Sequence, residues 1–549
     1  MIGIICKSSE TEIVKEFFQL FKTPWEFFQE NHKYEVVICT RKELPDVDAK
    51  LLIVFNTEKS SIDSKLNINI NSILKKVVKT EEDSEFPIYN SLVSLDSEGT
   101  SLLNLKDNSH SVAQVFNHSN GDIIRVGYDI FQEAEYLLKE GQPPEFASIP
   151  TLDIHLSLLR NWIISAGISF IEIPPVPAGY KFMACLTHDV DYITIKQHKF
   201  DHTMWGFLSR ATIDSSIKFL RGKLSLRKLL KNWNAVLTLP LVYLGIIKDL
   251  WFNFDRYMEL EKEYKSTFFI IPFKNKAGES VYLDQSERRA TKYDIVDIRK
   301  EIQKLIENDF EIALHGIDAW HSSQSAKDEF ARVTNETKNK QLGIRMHWLC
   351  YDSFTPAILD EAGFLYDSTF GYNETVGFRA GTSQVFRPPG TTSILELPLS
   401  IQDVALFMPG YLNLSDQEGL YLCHKILHHT FNCGGVITIL WHLRSIAPER
   451  LWDDFYMKLL ETLKDYNVFF ATATQAVQWY SKRRTIEFKE VTFEKNHVKV
   501  KLLNNEEINN LSYIIRVHTP YATNTRFSQL NKCITDVALN NKQELSIPI

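Results

Sequence analysis

From Lys181 to about Lys482, short apolar runs and amphipathic helical stretches take turns along the chain, and this alternation most restricts the fold. Lys181–Leu186, Ser266–Ile271, Glu311–Leu314, Gly435–Leu440 and Val468–Ala471 have the length and composition of buried strands. Between them, Asp294–Glu307 carries Ile295, Ile298, Ile302, Leu305 and Ile306 at helical spacing. Thr355-Pro356 supplies a helix cap with proline at the first helical position, and Gly363 stops that helix. Leu451–Tyr466 and Ala473–Lys482 are helical again. Strands joined by helices predict a parallel sheet or (β/α) barrel, with its chemistry at the carboxyl ends of the strands.

The polar residues just past those strand ends are therefore the ones to collect. In Thr187-His-Asp-Val-Asp191 two acids sit one residue apart, so on an extended segment Asp189 and Asp191 point the same way. Like charges that close oppose each other's ionisation unless a cation or hydrogen-bond donor offsets them, which suits metal binding combined with base work. His315 follows Glu311–Leu314, Arg345 and His347 stand in Gly343-Ile-Arg-Met-His-Trp348, and His442 follows Gly435–Leu440.

In order along the chain, Thr187–Asp191, Ser266-Thr-Phe-Phe-Ile270, Leu314-His-Gly-Ile-Asp-Ala-Trp-His321, Arg345 followed by Thr355–Asp367, and Leu440-Trp-His442 resemble the motif regions of metal-dependent polysaccharide deacetylases. These are carbohydrate esterase family four, with the NodB-homology fold, and the resemblance covers about residues 180–482. It implies a metal-dependent hydrolase that removes acetyl groups from an amino sugar of a bacterial polysaccharide or glycan precursor. By the same resemblance Asp189 is the general base, Asp191 a metal ligand, Arg345 the arginine that orients the base, and His442 the general acid. The implied cofactor is a divalent ion, zinc before other metals. Asp403, in Leu395–Asp403, is the candidate acid that tunes His442; Arg379 is a candidate for binding substrate or a carboxylate. Phe386-Arg-Pro-Pro-Gly390 matches the arginine motif by its letters, which makes Arg387 the fallback for Arg345. The same family includes amidohydrolases acting on small amides, and a degenerate, purely glycan-binding domain is the reading from another class.

The largest departure from the family pattern is the second motif. His315 and His321 are six residues apart, about 240° on a regular helix, so they cannot share a face unless the backbone bends, which Gly316 would permit. His347 is the other candidate, because on an extended segment it faces the same side as Arg345. The expected metal set is thus Asp191 and His315 with either His347 or His321.

At 549 residues the chain exceeds one ordinary domain. Ile173-Pro-Pro-Val-Pro-Ala-Gly179 is the first convincing boundary. Residues 1–172 then form an N-terminal α/β domain with a helical connector, from Met1–Cys6, Glu10–Phe21, Tyr34–Cys39, Lys50–Phe55 and Ile123–Gly127 through the helical passage that ends near Ala166. Neither a G-x-G-x-x-G nor a phosphate loop follows those strands, so recognition or scaffolding is its expected role. Residues 173–484 form the barrel, with a helical insertion over 200–264. After Lys482-Arg483-Arg484 the helices stop; Thr485–Phe493, His497–Leu503, Leu511–His518 and Gln543–Ile547 read as strands, so 485–549 is expected to be a small β-sandwich.

A net charge of −8 argues against general nucleic-acid affinity. Seven scattered cysteines give neither a disulfide framework nor a cysteine zinc site and fit a reducing compartment. Met1-Ile-Gly-Ile-Ile-Cys6 lacks the basic start and long apolar core of a signal peptide, so a cytoplasmic protein is expected. One segment runs against the acidic average. Between Asp214 and Asp249 there is no acid, but there are seven bases: Lys218, Arg221, Lys223, Arg227, Lys228, Lys231 and Lys248. Within it the apolar Ala235–Ile247 is too short to span a bilayer. A helical insertion packed on its own domain is the favoured reading, with peripheral contact to an anionic membrane through 218–248 as the other.

Overall fold

A computed structural model describes the chain apart from residues 74–75, 81–83, 108–109, 119–120, 223, 282–286, 495, 504–511, 521–531, 540–543 and 549. The chain divides into two compact units, one built from Tyr180–Gly377 and Gly390–Val477, the other from Met1–Gly179, Phe378–Pro389 and Gln478–Ile549.

The first unit is a parallel sheet of nine strands: β1 (Met183–Val190), β2 (Ser266–Ile270), β3 (Glu311–Gly316), β4 (Gly343–Met346), β5 (Tyr366–Asp367), β6 (Leu395–Glu396), β7 (Ile401–Gln402), β8 (Val436–Leu440) and β9 (Phe469–Phe470). Their spatial order is β6-β5-β4-β3-β2-β1-β8-β7, with β9 against the start of β1. Every residue of β1, β2 and β8 is buried, as expected of strands covered on both faces. The two edges of this row, β6 and β7, are consecutive in the chain and joined only by Leu397–Ser400. Such a link reaches at most about 18 Å. The edges of eight flat strands would stand about 34 Å apart, so the sheet must curl. The link itself continues the curl, since Leu397 N–H donates to Asp367 and Ser400 N–H to the Thr438 carbonyl. The result is a curled parallel sheet, a half-barrel whose two edge strands are each only two residues long.

Between β1 and β2 the chain forms helices His202–Ser209, Ser215–Leu220, Leu226–Tyr243 and Phe254–Leu260. Among the described residues, no helix is long and apolar enough to cross a membrane.

The second unit departs from the expected division. Its large sheet has five strands in parallel neighbourhood, Trp25–Phe27, Ile2–Ile5, Tyr34–Cys39, Ala49–Phe55 and Gly121–Val126, and continues antiparallel through Ser111–His118 and Thr100–Leu105. The stretch after Lys482 is not a free-standing sandwich. Ile514–Pro520 pairs antiparallel with Phe170–Glu172 and with Lys532–Ala538, while Glu487–Phe493, His497–Leu503 and Glu544–Pro548 form a separate three-stranded sheet. Leu511 and Gln543, expected at strand ends, lie outside the described residues. Two buried ionic groups explain why this stretch joins the N-terminal part. Glu172 is paired with Arg160 (2.8 Å) and with His518 (2.9 Å). Arg483, 1% exposed, donates to the carbonyls of Gln19, Leu20 and Ile173. Cutting the chain at either expected boundary would separate His518 from Glu172, and the first would also take the Gln19 and Leu20 carbonyls from Arg483.

Candidate active site

Three sequence-distant carboxyl ends converge. β1 pairs with β8 so that Thr187 lies opposite Leu440, and β3 pairs with β4 so that His315 lies opposite Arg345. Asp191, His347 and His442 therefore leave the sheet at one end. Strand alternation separates the roles within β1. His188 turns to the opposite face from Thr187 and Asp189, where its Nδ1 meets the Trp441 carbonyl at 2.7 Å and its Nε2 meets Glu261 at 3.0 Å.

Asp191, His315 and His347 each offer a ligand atom, all within 4.8 Å of one another. Asp191 Oδ1 stands 3.3 Å from His315 Nε2 and 3.5 Å from His347 Nε2, and is itself buried without a hydrogen-bond partner. Two ligands at tetrahedral positions around zinc would stand about 3.3 Å apart. The ring orientations suit a cation too. His315 Nδ1 is 2.9 Å from the Arg345 carbonyl, which can only accept, so the proton sits on Nδ1 and the Nε2 lone pair faces Asp191. Burial pushes His347 down to about 3. Burial alone would push Asp191 up, but the His347, His315 and His442 rings around it outweigh that and hold it well below the carboxylate range. These residues fit a divalent ion.

Of the two candidates for the third ligand, His347 is the one in the cluster. After Gly316 the chain makes turns rather than a helix, and His321 ends 3.5 Å from Asp318 and 4.0 Å from Glu279, not among the ligand atoms around Asp191. What Gly316 provides is room and not a bend: a Cβ there would stand 2.5 Å from Met346 Sδ. His347 is followed by two residues in the left-handed region, Trp348 (φ 63°) and Leu349 (φ 50°), a rarely tolerated pair that turns the chain sharply at the site.

Beside the cluster, Asp189 Oδ1 accepts from Arg345 Nη1 at 3.0 Å, while Asp189 Oδ2 is 3.6 Å from His315 Nε2. Arg345 is fully buried. It also donates to Thr187 Oγ1 (2.8 Å), the Ser368 carbonyl (3.0 Å) and Ser368 Oγ (2.9 Å), and its guanidinium lies 4.3 Å over the Phe269 ring. Arg387 and Arg379 belong to the other unit, within Phe378–Pro389; the backbone N–H of Arg387 donates to Glu16 and the carbonyl of Arg379 accepts from Gln142. The carboxylate pairing is thus made by Arg345.

Opposite, His442 Nδ1 is 2.7 Å from Asp403 Oδ1, and the His442 backbone N–H donates to Asp403 Oδ2 at 2.7 Å, a carboxylate that Ser445 also bonds. His442 Nε2 points toward Asp191 Oδ2 at 3.7 Å. Burial pulls the His442 ring down, but Asp403 first and Asp191 after it raise it to about 9. Asp403 is held below its ordinary range: burial opposes ionisation, and His442 and Ser445 more than compensate.

Sequence reasoning missed the rest of this pocket. Tyr192, Arg444 and Arg450 line it with Asp189, Asp191 and His442. Arg444, 5% exposed, pairs with Glu449 at 2.7 Å and stacks 3.8 Å over Trp251. Its spacing of two from His442 was the available signal. Glu329 was also missed: fully buried, it accepts the Ile317 and Asp318 N–H groups and so clamps the turn that follows His315.

No protein-family model matches this sequence. No curated protein sequence matches it either. Solved structures similar to part of the chain include two assigned as polysaccharide deacetylases, an allantoinase, a CE4 family pseudoenzyme from Bacillus anthracis and a GH57 branching enzyme. One, assigned to the deacetylases and from Mycobacterium smegmatis, is 16% identical over 59% of this chain and 100% of its own, at a TM-score of 0.33. PuuE allantoinase is 14% identical over 56% and 93% at 0.34, and a deacetylase assignment from Pseudomonas aeruginosa PAO1 is 13% identical over 56% and 94% at 0.34. Scores this low leave the functional argument to the side chains.

Proposed function

We propose that this chain is a metal-dependent hydrolase that removes an acetyl group from an amino sugar of a glycan or glycan precursor. The observation that carries the reading is one pocket holding three different devices: an Asp/His/His donor set, a carboxylate fixed by a buried arginine, and a histidine fixed by a buried carboxylate. Asp191, His315 and His347 would hold the ion, zinc first, which when bound acidifies water and polarises an acetyl carbonyl.

The chain's own groups supply the proton traffic. Asp189, with Oδ1 engaged by Arg345, has Oδ2 available to take the proton of the attacking water. Arg345 keeps that carboxylate in place through its bonds to Thr187 and Ser368. His442, whose Nδ1 proton is held by Asp403, carries a second proton on Nε2 up to high pH and gives it to the departing amine or alkoxide.

The test is acetate release from acetylated saccharides by the purified full chain. A chelator should abolish it, zinc should restore it, and Asp189→Asn should eliminate it. Release that survives both the chelator and the substitution would end the hydrolase reading. Stoichiometric metal and saccharide binding without any release would favour a glycan-binding domain instead, and release of ammonia or amine from small amides the amidohydrolase alternative.

A further inference from the structure

The helical insertion turns an unusual amount of apolar surface outward. Among the described residues, 12 of the 20 exposed large hydrophobic side chains fall between Phe200 and Ile246. The helix Leu226–Tyr243 shows how they are arranged. Leu229, Ala235, Leu239 and Val242 are buried, the last three in a core shared with Phe207 and Trp251. On the same helix and just past it, Leu226, Leu230, Trp233, Leu237, Leu241 and Leu244 are 56, 55, 46, 78, 39 and 73% exposed. Steps of four or three residues keep these six within about 80° of arc, about 160° round the helix from the buried stripe. The helix thus has two apolar faces nearly back to back, and the fold covers one of them.

Charge decides what can cover the other. The segment between Asp214 and Asp249 has seven bases and no acid, and Arg221, Arg227 and Lys231 are exposed along it. A second copy of this chain docking by two-fold symmetry would bring the same bases against each other, because a symmetric interface uses one patch twice. Spanning a bilayer is ruled out for the described helices by length and hydropathy. A leucine- and tryptophan-bearing stripe flanked by lysine and arginine is the makeup of a helix lying in a membrane interface. A single exposed leucine needs no explanation, whereas an aligned set of six does.

We propose that this face docks on an anionic membrane surface, with the Leu226–Leu244 stripe entering the headgroup region and Arg221, Arg227 and Lys231 meeting lipid phosphates. The proposal stands on the insertion alone and is independent of the chemistry in the pocket.

Flotation of the full chain with vesicles tests it. Vesicles of phosphatidylcholine and phosphatidylglycerol should carry the protein, and pure phosphatidylcholine vesicles should carry far less. Arg227→Gln with Lys231→Gln should weaken anionic binding about 30-fold. Leu230→Glu with Leu237→Glu should abolish it, and since both side chains already face solvent, the thermal midpoint should stay that of the parent. Vesicle binding that persists in the leucine pair overturns the proposal. So does an absence of vesicle binding, and light scattering that finds a dimer dissolved by the leucine pair would then make the face an interface between copies.

Discussion

Replacing Arg345 with methionine tests whether the base is held as the geometry implies. The guanidinium nitrogen is 3.0 Å from an Asp189 oxygen, and Asp189 and Arg345 are 3% and 0% exposed. At an effective dielectric of about 20 the attraction is about 5 kcal/mol, and removing one partner of a buried pair typically costs about 3–5 kcal/mol. Arg345→Met should therefore destabilise this unit by about 4 kcal/mol. Asp189→Asn, which keeps the Thr187 and Ser368 bonds of Arg345, should cost about 2 kcal/mol. The double substitution removes both charges together, so its cost should fall short of the sum by at least about 2 kcal/mol. Arg345→Lys should recover only part of the loss, because an ammonium cannot reach Asp189, Thr187 and Ser368 in the fixed fork of a guanidinium. The assay is urea unfolding of chelator-treated protein, so that no bound cation offsets the Asp189 charge. Simple additivity, a coupling below about 0.5 kcal/mol, would refute the pairing as an energetic unit.

Metal analysis after dialysis should find His315→Ala and His347→Ala depleted and His321→Ala loaded like the parent; equal loss in His321→Ala would redraw the ligand set. The rate should hold on the alkaline side well beyond the ordinary imidazole range, because His442 keeps its proton to about 9, and Asp403→Asn should pull that limb to lower pH by a unit or more in a pH–rate profile. An unmoved limb would remove Asp403 from the proton path. Glu329, raised by burial to about 7 in the folded chain, binds a proton that the unfolded chain has lost above about 4.5. Stability should therefore fall as pH rises from about 4.5 to 7, by about 3 kcal/mol in all, and Glu329→Gln should flatten the midpoint-versus-pH curve across that window. Parallel curves would refute this.

The pocket was legible where its residues follow local rules. Asp189, Asp191, His315, Arg345 and His442 each stand at or just past an apolar run, and strand alternation alone says which neighbours share a face. His321 was harder, because the turns after Gly316 are set by Glu329, thirteen residues further on, capturing two backbone N–H groups. Asp403 could be proposed from its order along the chain, but not its three donors, which come from residues about forty positions away. Strand pairing over long separations has no local signature at all. Phe170–Glu172 is two apolar residues and a glutamate, and nothing in it announces Ile514–Pro520 as its partner.

That pairing bears on how the chain is made. The ribosome releases Tyr180–Val477 before Ile514, so the barrel unit can be finished while the unit that encloses it in sequence still lacks the middle strand of its three-stranded sheet and the Arg483 guanidinium that binds Gln19, Leu20 and Ile173. Until then Phe170–Glu172 waits as an unpaired strand with a carboxylate missing its His518 partner. Residues made before the barrel unit are thus completed only after it, a delay during which an open strand edge is exposed to other chains.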